Sequence, residues 1–163
     1  MRLTCCAFAF ALAAASAGPA IAHAGAKQTA ARHGSLQQSA RGAGSVVDAF
    51  HAALRRGDLN AALALLAEDA LIFESGGVER SKAEYQAEHL PADAEFTRAV
   101  PSKLVRRSGR ADGNTAWIAS EGRVTGTFKG KPLDRVTTET MILRRDRSEW
   151  KIVHIHWSSG AAP

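Results

Sequence analysis

From Ser45 onward, apolar residues recur at three- and four-residue intervals, with Val46, Val47, Phe50, Ala53 and Leu54 along one side of an expected helix. Ser45 is its expected N-cap, Arg55 and Arg56 suit the negative pole at its end, and Gly57 stops it. Asp58 is placed to cap a second short helix running through Leu66. Leu71 to Glu74 then reads as a short buried strand closed by the turn Ser75-Gly76-Gly77. Ser81 and Glu84 have capping-box spacing for a third helix, with Ala83, Ala87 and Leu90 facing inward and Pro91 ending it.

After Pro91 the period becomes that of strands. The segments FTRAV, KLVRR, TAWIASEGRVTGTF, DRVTTETMILRR and EWKIVHIHW are separated by turn signals at Ser108-Gly109, Asp112-Gly113-Asn114, Gly130-Lys131-Pro132 and Asp146-Arg147-Ser148. Short loops of this kind favour antiparallel neighbours. Helices first and strands later make an α+β domain, with the helices covering one face of the sheet.

The residues before Ser45 have a different character. Residues 1–24 carry Arg2, an apolar and small-residue run, a break at Gly18-Pro19 and small residues at Ala22 and Ala24, which is the pattern of a secretory signal peptide. The run is too short and alanine-rich for a comfortable membrane span, so cleavage after Ala24 and a periplasmic or secreted protein are expected, with no membrane attachment afterwards. Residues 25–44 almost lack large apolar side chains and read as a flexible tether, with no role for His33. The domain then occupies residues 45–160.

Cleavage would remove both cysteines, Cys5 and Cys6, and with them any disulfide or thiolate chemistry. It would leave 20 basic residues against 16 acidic ones, scattered rather than gathered into a patch. A nucleic-acid partner is therefore not expected. The glycines at Gly76-Gly77 and Gly122 fit no phosphate-binding spacing, and no cofactor is expected.

AFHAALRRGDLNAALALLAEDALIFE, followed after a helix and strands by ETMILRRDRSEWKIVHIHWSSGAAP, resembles the NTF2-like superfamily, particularly its SnoaL-like and DUF4440 branch. The tail also resembles the association (hub) domain of calcium/calmodulin-dependent protein kinase II. The resemblance implies a cone, a curved antiparallel sheet wrapped around N-terminal helices, with a pocket for a small molecule at its open end. Members include isomerases, cyclases, dehydratases and proteins that only bind or assemble. Two positions that hold pocket arginines in the hub domain are Met141 and Trp157 here, which turns the expectation from a carboxylate ligand to a mostly apolar one.

The last strand carries two histidines. Strict alternation puts Trp150, Ile152, His154 and His156 on one face and Lys151, Val153, Ile155 and Trp157 on the other. Both faces are largely apolar, so one is expected in the cone and the other against a second copy, as a homodimer. Alternation does not say which is which; the hub resemblance implies that Val153, Ile155 and Trp157 line the cavity and that the histidines lie behind it.

As an alternative, His154 and His156 could share a metal ion with His89 or Glu74, but no H-E-x-x-H motif or cysteine cluster supports this and no metal is expected. The pocket candidates are Glu74, Tyr85, His89, Glu139, Met141, Ile155 and Trp157. The expected function is binding of a small molecule without established catalysis. The alternative is isomerase-like or cyclase-like acid–base chemistry, with Glu74, Glu139, His89 or a terminal histidine as base and Tyr85 as the phenol. Each has a structural reading beside it: Glu139 could pair with Arg123, Tyr85 and His89 could only pack, His51 would sit at the surface or boundary, and Trp117 and Trp150 would belong to the core.

Overall fold

The computed structural model describes residues 35–163. The expected signal peptide, the first ten residues of the expected tether, His33 and both cysteines lie outside the described residues.

Helix α1 (Arg41–Arg56) begins four residues before the expected cap. Ser45 is inside it, donating its hydroxyl to the Arg41 carbonyl at 3.1 Å. Residues 35–44 are thus not a tether. Gln38–Ala40 form a 3-10 turn, Leu36 bridges to Gly109, and Ala40 and Ala43 are completely buried. The segment lacks bulk, and small residues let the helix approach so closely that a Cβ on Gly44 would lie 2.8 Å from Leu36. Burial here comes from proximity instead of side-chain size.

The other end of α1 follows its sequence. Gly57 is left-handed (φ 70°), its N–H bonds to Leu54 O and that of Asp58 to Ala53 O, so both orphan carbonyls are satisfied. Asp58 then caps α2 (Leu59–Ala64) by accepting from the Ala61 N–H at 3.0 Å. Ser81 caps α3 (Lys82–Glu88) by accepting from the Glu84 N–H at 3.1 Å, while Glu84 accepts from the Arg80 N–H.

Pro91 starts a helix instead of ending one. Helix α4 (Leu90–Ala99) holds it in the first turn, where its missing N–H has no partner to lose. The expected strand FTRAV is therefore mostly helical; α4 buries Leu90 and Ala94 and turns Asp93 and Phe96 toward the sheet side, where both line a cavity.

The strands are β1 (Leu66–Glu74), β2 (Gly77–Glu79), β3 (Ser102–Asp112), β4 (Thr115–Phe128), β5 (Lys131–Asp146) and β6 (Glu149–Ala161). They form one curved sheet in the order β2-β1-β6-β5-β4-β3. All neighbours are antiparallel except β1 and β6, which run parallel. The expected turn at Ser108-Gly109 is absent, because β3 runs straight through it. A Cβ on Gly109 would lie 2.7 Å from both Leu36 and Ile118, so glycine is there for close approach.

Among the bulges that bend this sheet, the one in β6 decides which face is which. Leu143 pairs with Ile152, whereas the next residue on β5, Ile142, pairs with His154. Val153 is the extra residue, and strict alternation fails there. Ile152, Ile155 and Trp157 consequently share the inner face, and His154 and His156 the outer one. Val47, Phe50 and Leu54 of α1 fill the inner face together with Ile118, Met141, Leu143, Ile152 and Ile155. Each contributes roughly 1.5–3 kcal/mol of burial. Trp150 packs at the edge of this cluster, but Trp117 is 42% exposed on the outer face and is not a core residue.

Candidate functional site

One row of residues crosses five strands in register on the inner face: Glu74 (β1), Trp157 (β6), Glu139 (β5), Ser120 (β4) and Arg107 (β3). Adjacent strands are about 4.8 Å apart, so the row sets carboxylate, indole, carboxylate, hydroxyl and guanidinium side by side. It borders a cavity of about 440 Å³. Above it, α1 supplies Asp48, His51 and Leu54, and α4 supplies Asp93 and Phe96; Val100 and Val124 extend the apolar wall. The lining is amphipathic, more polar than the mostly apolar pocket expected.

Glu139 is the best-enclosed charged group of the row, only 9% exposed. Its Oε2 accepts from His51 Nε2 at 2.7 Å and from the Trp157 indole N–H at 2.8 Å. Its Oε1 is buried and has no hydrogen-bond partner among the described residues. Burial alone would raise the Glu139 pKa, but the bond and charge of His51, the Trp157 N–H and the charge of Arg107 outweigh it and hold the carboxyl below its ordinary value. The result is an ionised carboxylate with one oxygen satisfied twice and the other not at all.

Arg107, beside it, is already engaged. Its Nε donates to Ser120 Oγ at 3.1 Å and a terminal nitrogen to Asp48 at 2.6 Å, tying β3 to β4 and α1.

A second polar cluster sits where β1 meets α3 and α4. Tyr85 is fully buried and donates its hydroxyl to Asp93 Oδ2 at 2.7 Å. Burial pushes the Asp93 pKa up to about 6, with the Tyr85 hydrogen bond opposing and the Glu74 charge adding to the rise. Burial likewise raises Glu74, against His89 and with Glu79. Burial and the neighbouring Asp93 charge raise Tyr85 too. His89 Nδ1 bonds to Glu79, which is 5% exposed.

Of the residues expected at the pocket, Glu74, Glu139 and Trp157 line the cavity. Tyr85 does not line it, but its hydroxyl bonds to Asp93 and its ring lies 6.4 Å from that of Trp157, both of which do. His89 is occupied by Glu79 instead, and Met141 and Ile155 are completely buried in the core, because their register positions lie one inner-face step further from the open end than Glu139 and Trp157. The expected Glu139–Arg123 pair does not form: Arg123 makes a two-pronged bond to Asp134 at 2.7 and 2.6 Å.

His154 and His156 are on the outer face, His154 Nδ1 within 2.8 Å of the Leu71 carbonyl and both rings edge-on to Phe73. Glu74 shares its register row with Trp157 on the opposite face, so it cannot join them. Among the described residues no group of three or more His, Cys, Asp or Glu side chains is placed to hold a metal ion.

The lining residues outside the expected set include Asp48, His51, Asp93 and Arg107. One signal for them is present in the sequence. Asp48, His51 and Arg55 follow one another at three and four residues along α1, beside the apolar stripe of Val47, Phe50 and Leu54, which marks a polar strip bordering the core. Asp93 is hidden when Pro91 is taken as a stop.

A family model described as a SnoaL-like domain matches residues 44–162. Among solved structures, the chain is similar to a candidate ketosteroid isomerase from Shewanella frigidimarina at 36% identity, over 72% of this chain and 94% of that one, with a TM-score of 0.70. It is also similar to a candidate calcium/calmodulin-dependent protein kinase II association domain from Xanthomonas campestris (24% identity, 79% and 93% covered, TM-score 0.64). A candidate dehydratase of the NTF2-like family from Streptomyces avermitilis shares the fold at 19% identity, with 76% and 98% covered and a TM-score of 0.61. No curated protein matches.

Proposed function

Because the chain belongs to the SnoaL-like domain family, we propose that its cavity binds a small amphipathic molecule whose polar end donates a hydrogen bond to Glu139 Oε1. The observation behind this reading is that orphaned oxygen. A buried acceptor left unsatisfied costs about 1–3 kcal/mol, and a ligand donor would remove that cost while the wall of Leu54, Phe96, Val100 and Trp157 takes up its apolar body. The test is calorimetric titration of the purified chain with a panel of small apolar molecules bearing hydroxyl or amine groups. Glu139→Gln would weaken the ligands that bind the wild type; a panel that ignores the substitution would refute the assignment of the polar anchor.

A second reading, acid–base turnover, draws on Asp93. A carboxyl with a pKa of about 6 suits proton transfer near neutral pH, whereas Glu139, held ionised, is the weaker base. The 36% identity to a candidate ketosteroid isomerase gives an assay: isomerisation of a β,γ-unsaturated ketosteroid to its conjugated isomer, followed by ultraviolet absorbance in wild type and Asp93→Asn. Turnover abolished by the substitution would favour the enzyme; no turnover in either protein would leave binding as the function.

The assembly proposed for this domain is a homodimer through the outer sheet face. Trp117, Ile142 and His154 lie in register across β4, β5 and β6, and Trp117 and Val136 are 42% and 41% exposed. Trp117→Lys would shift sedimentation from dimer to monomer. Export by the N-terminal segment is part of the same proposal; N-terminal sequencing of the mature protein would begin at Gly25.

A further inference from the structure

Resting on the small-molecule reading of the cavity, we propose that its occupant is an organic cation, an apolar body carrying a protonated amine. Glu139 Oε1 sets the first requirement. As the free oxygen of a carboxylate it only accepts, so the ligand must donate. A neutral hydroxyl donates once and leaves the charge in place. An ammonium donates up to three N–H bonds and brings the opposite charge.

The surroundings point the same way. Glu74, Asp93 and Glu139 all line the cavity. Two half-buried basic groups also line it: His51 is bonded to Glu139 Oε2, and Arg107 is bonded to Asp48 and Ser120 and adds only its long-range charge to Glu139, so both are engaged and Oε1 stays free. Arg55 and Arg135 are exposed at the rim, as is Glu121. Burial and the neighbouring carboxylates disfavour the charged forms of Glu74 and Asp93. A cation entering between them would relieve that repulsion, and an anion would add to it.

Trp157 supplies the third element. It stands between Glu74 and Glu139 in the register row, lines the cavity and gives its N–H to Glu139 Oε2. Aromatic faces attract cations, the more so when desolvated. An indole flanked by two carboxylates on a cavity floor is a receptor for positive charge, and Phe96 lies in the same wall for the apolar body.

The test uses one apolar body with three charges: 2-phenylethylamine, 2-phenylethanol and 3-phenylpropionate, titrated into the full-length chain by ligand-observed NMR at pH 7.5. The amine is expected to bind at least about tenfold more tightly than the alcohol, the scale of one charge-assisted hydrogen bond, and the carboxylate most weakly. Glu139→Gln should narrow the gap between amine and alcohol; the wild-type order stands as a test even if that variant folds poorly. An alcohol or carboxylate that binds as well as the amine would overturn the charge preference and leave the pocket reading intact. Failure of all three to bind at millimolar concentration would overturn the pocket reading and this proposal together.

Discussion

Trp157 donates its indole N–H to Glu139 Oε2 at 2.8 Å from directly across the β5–β6 ladder. The bond joins the apolar wall of the cavity to its charged floor and holds the carboxylate so that Oε2 is used and Oε1 is not. The same indole is stacked near Phe50 of α1, with ring centres 6.4 Å apart, so the floor is fixed from the core side as well. Trp157→Phe keeps most of that packing and removes the donor. We expect a loss of about 1.5–3 kcal/mol, the usual range for a hydrogen bond to a charged group, measured by urea denaturation at pH 7.5. A loss below about 0.5 kcal/mol, the low end for any hydrogen bond, would mean that the bond contributes little to holding Glu139.

Asp93 gives a pH signature. Its folded pKa of about 6 lies above the ordinary 3.8, so between those values the folded chain holds a proton that the unfolded chain has released. Stability from this group is therefore full below about pH 4 and lost as pH rises through about 6. Asp93→Asn cannot ionise and still offers an oxygen to the Tyr85 hydroxyl. It should be more stable than the wild type by about 3 kcal/mol at pH 7.5 and nearly equal at pH 4, as read from denaturation curves at the two pH values. A difference between variant and wild type that does not change with pH would show that the Asp93 carboxyl is not held above its ordinary value.

Val153 carries the register of β6. Deleting it would leave Ile152 opposite Leu143, His154 opposite Ile142 and Ile155 opposite Met141 in a regular ladder, so the same side chains would stay inside. The deletion variant should therefore keep a cooperative thermal transition by circular dichroism, as should Val153→Ala. Loss of the cooperative transition in the deletion would place the inside–outside switch elsewhere.

Gly109 tests the ordered segment before α1. Gly109→Ala would set a methyl 2.7 Å from Leu36 and Ile118 and 2.9 Å from the Trp117 carbonyl. The expected cost is about 1–3 kcal/mol, and removing residues 1–40 should lessen the difference between variant and wild type, because one of the three close contacts goes with Leu36.

Much of the fold is legible in the sequence because β4 and β5 alternate clearly and the turns at Gly113, Gly130 and Arg147 sit where glycine or a polar residue with positive φ is needed. The failures have physical causes. Pro91 can terminate a helix or begin one, and the apolar spacing of Leu90 and Ala94 across the proline is a weaker signal than the proline itself. The Val153 bulge is invisible because both faces of that strand are apolar, so a one-residue slip leaves no polar residue out of place. Small residues at 40–44 carry no hydrophobic signal until a neighbour closes on them. In the site, Trp157 can be named from the hub resemblance, and Glu74 and Glu139 as carboxylates on expected strands. His51, Asp93 and Arg107 enter through the way helices lie over the sheet and through the β3–β4 register, which local pattern does not encode.

The free oxygen of Glu139 is the feature on which binding turns, and a crystal structure of the protein soaked with a mixed set of small amines and alcohols tests it most directly. The expected result is a bound fragment in the cavity with a nitrogen or hydroxyl oxygen within hydrogen-bonding distance of Glu139 Oε1 and its apolar part against Trp157. Fragments found only elsewhere, or a protein group already bonded to Oε1, would contradict it.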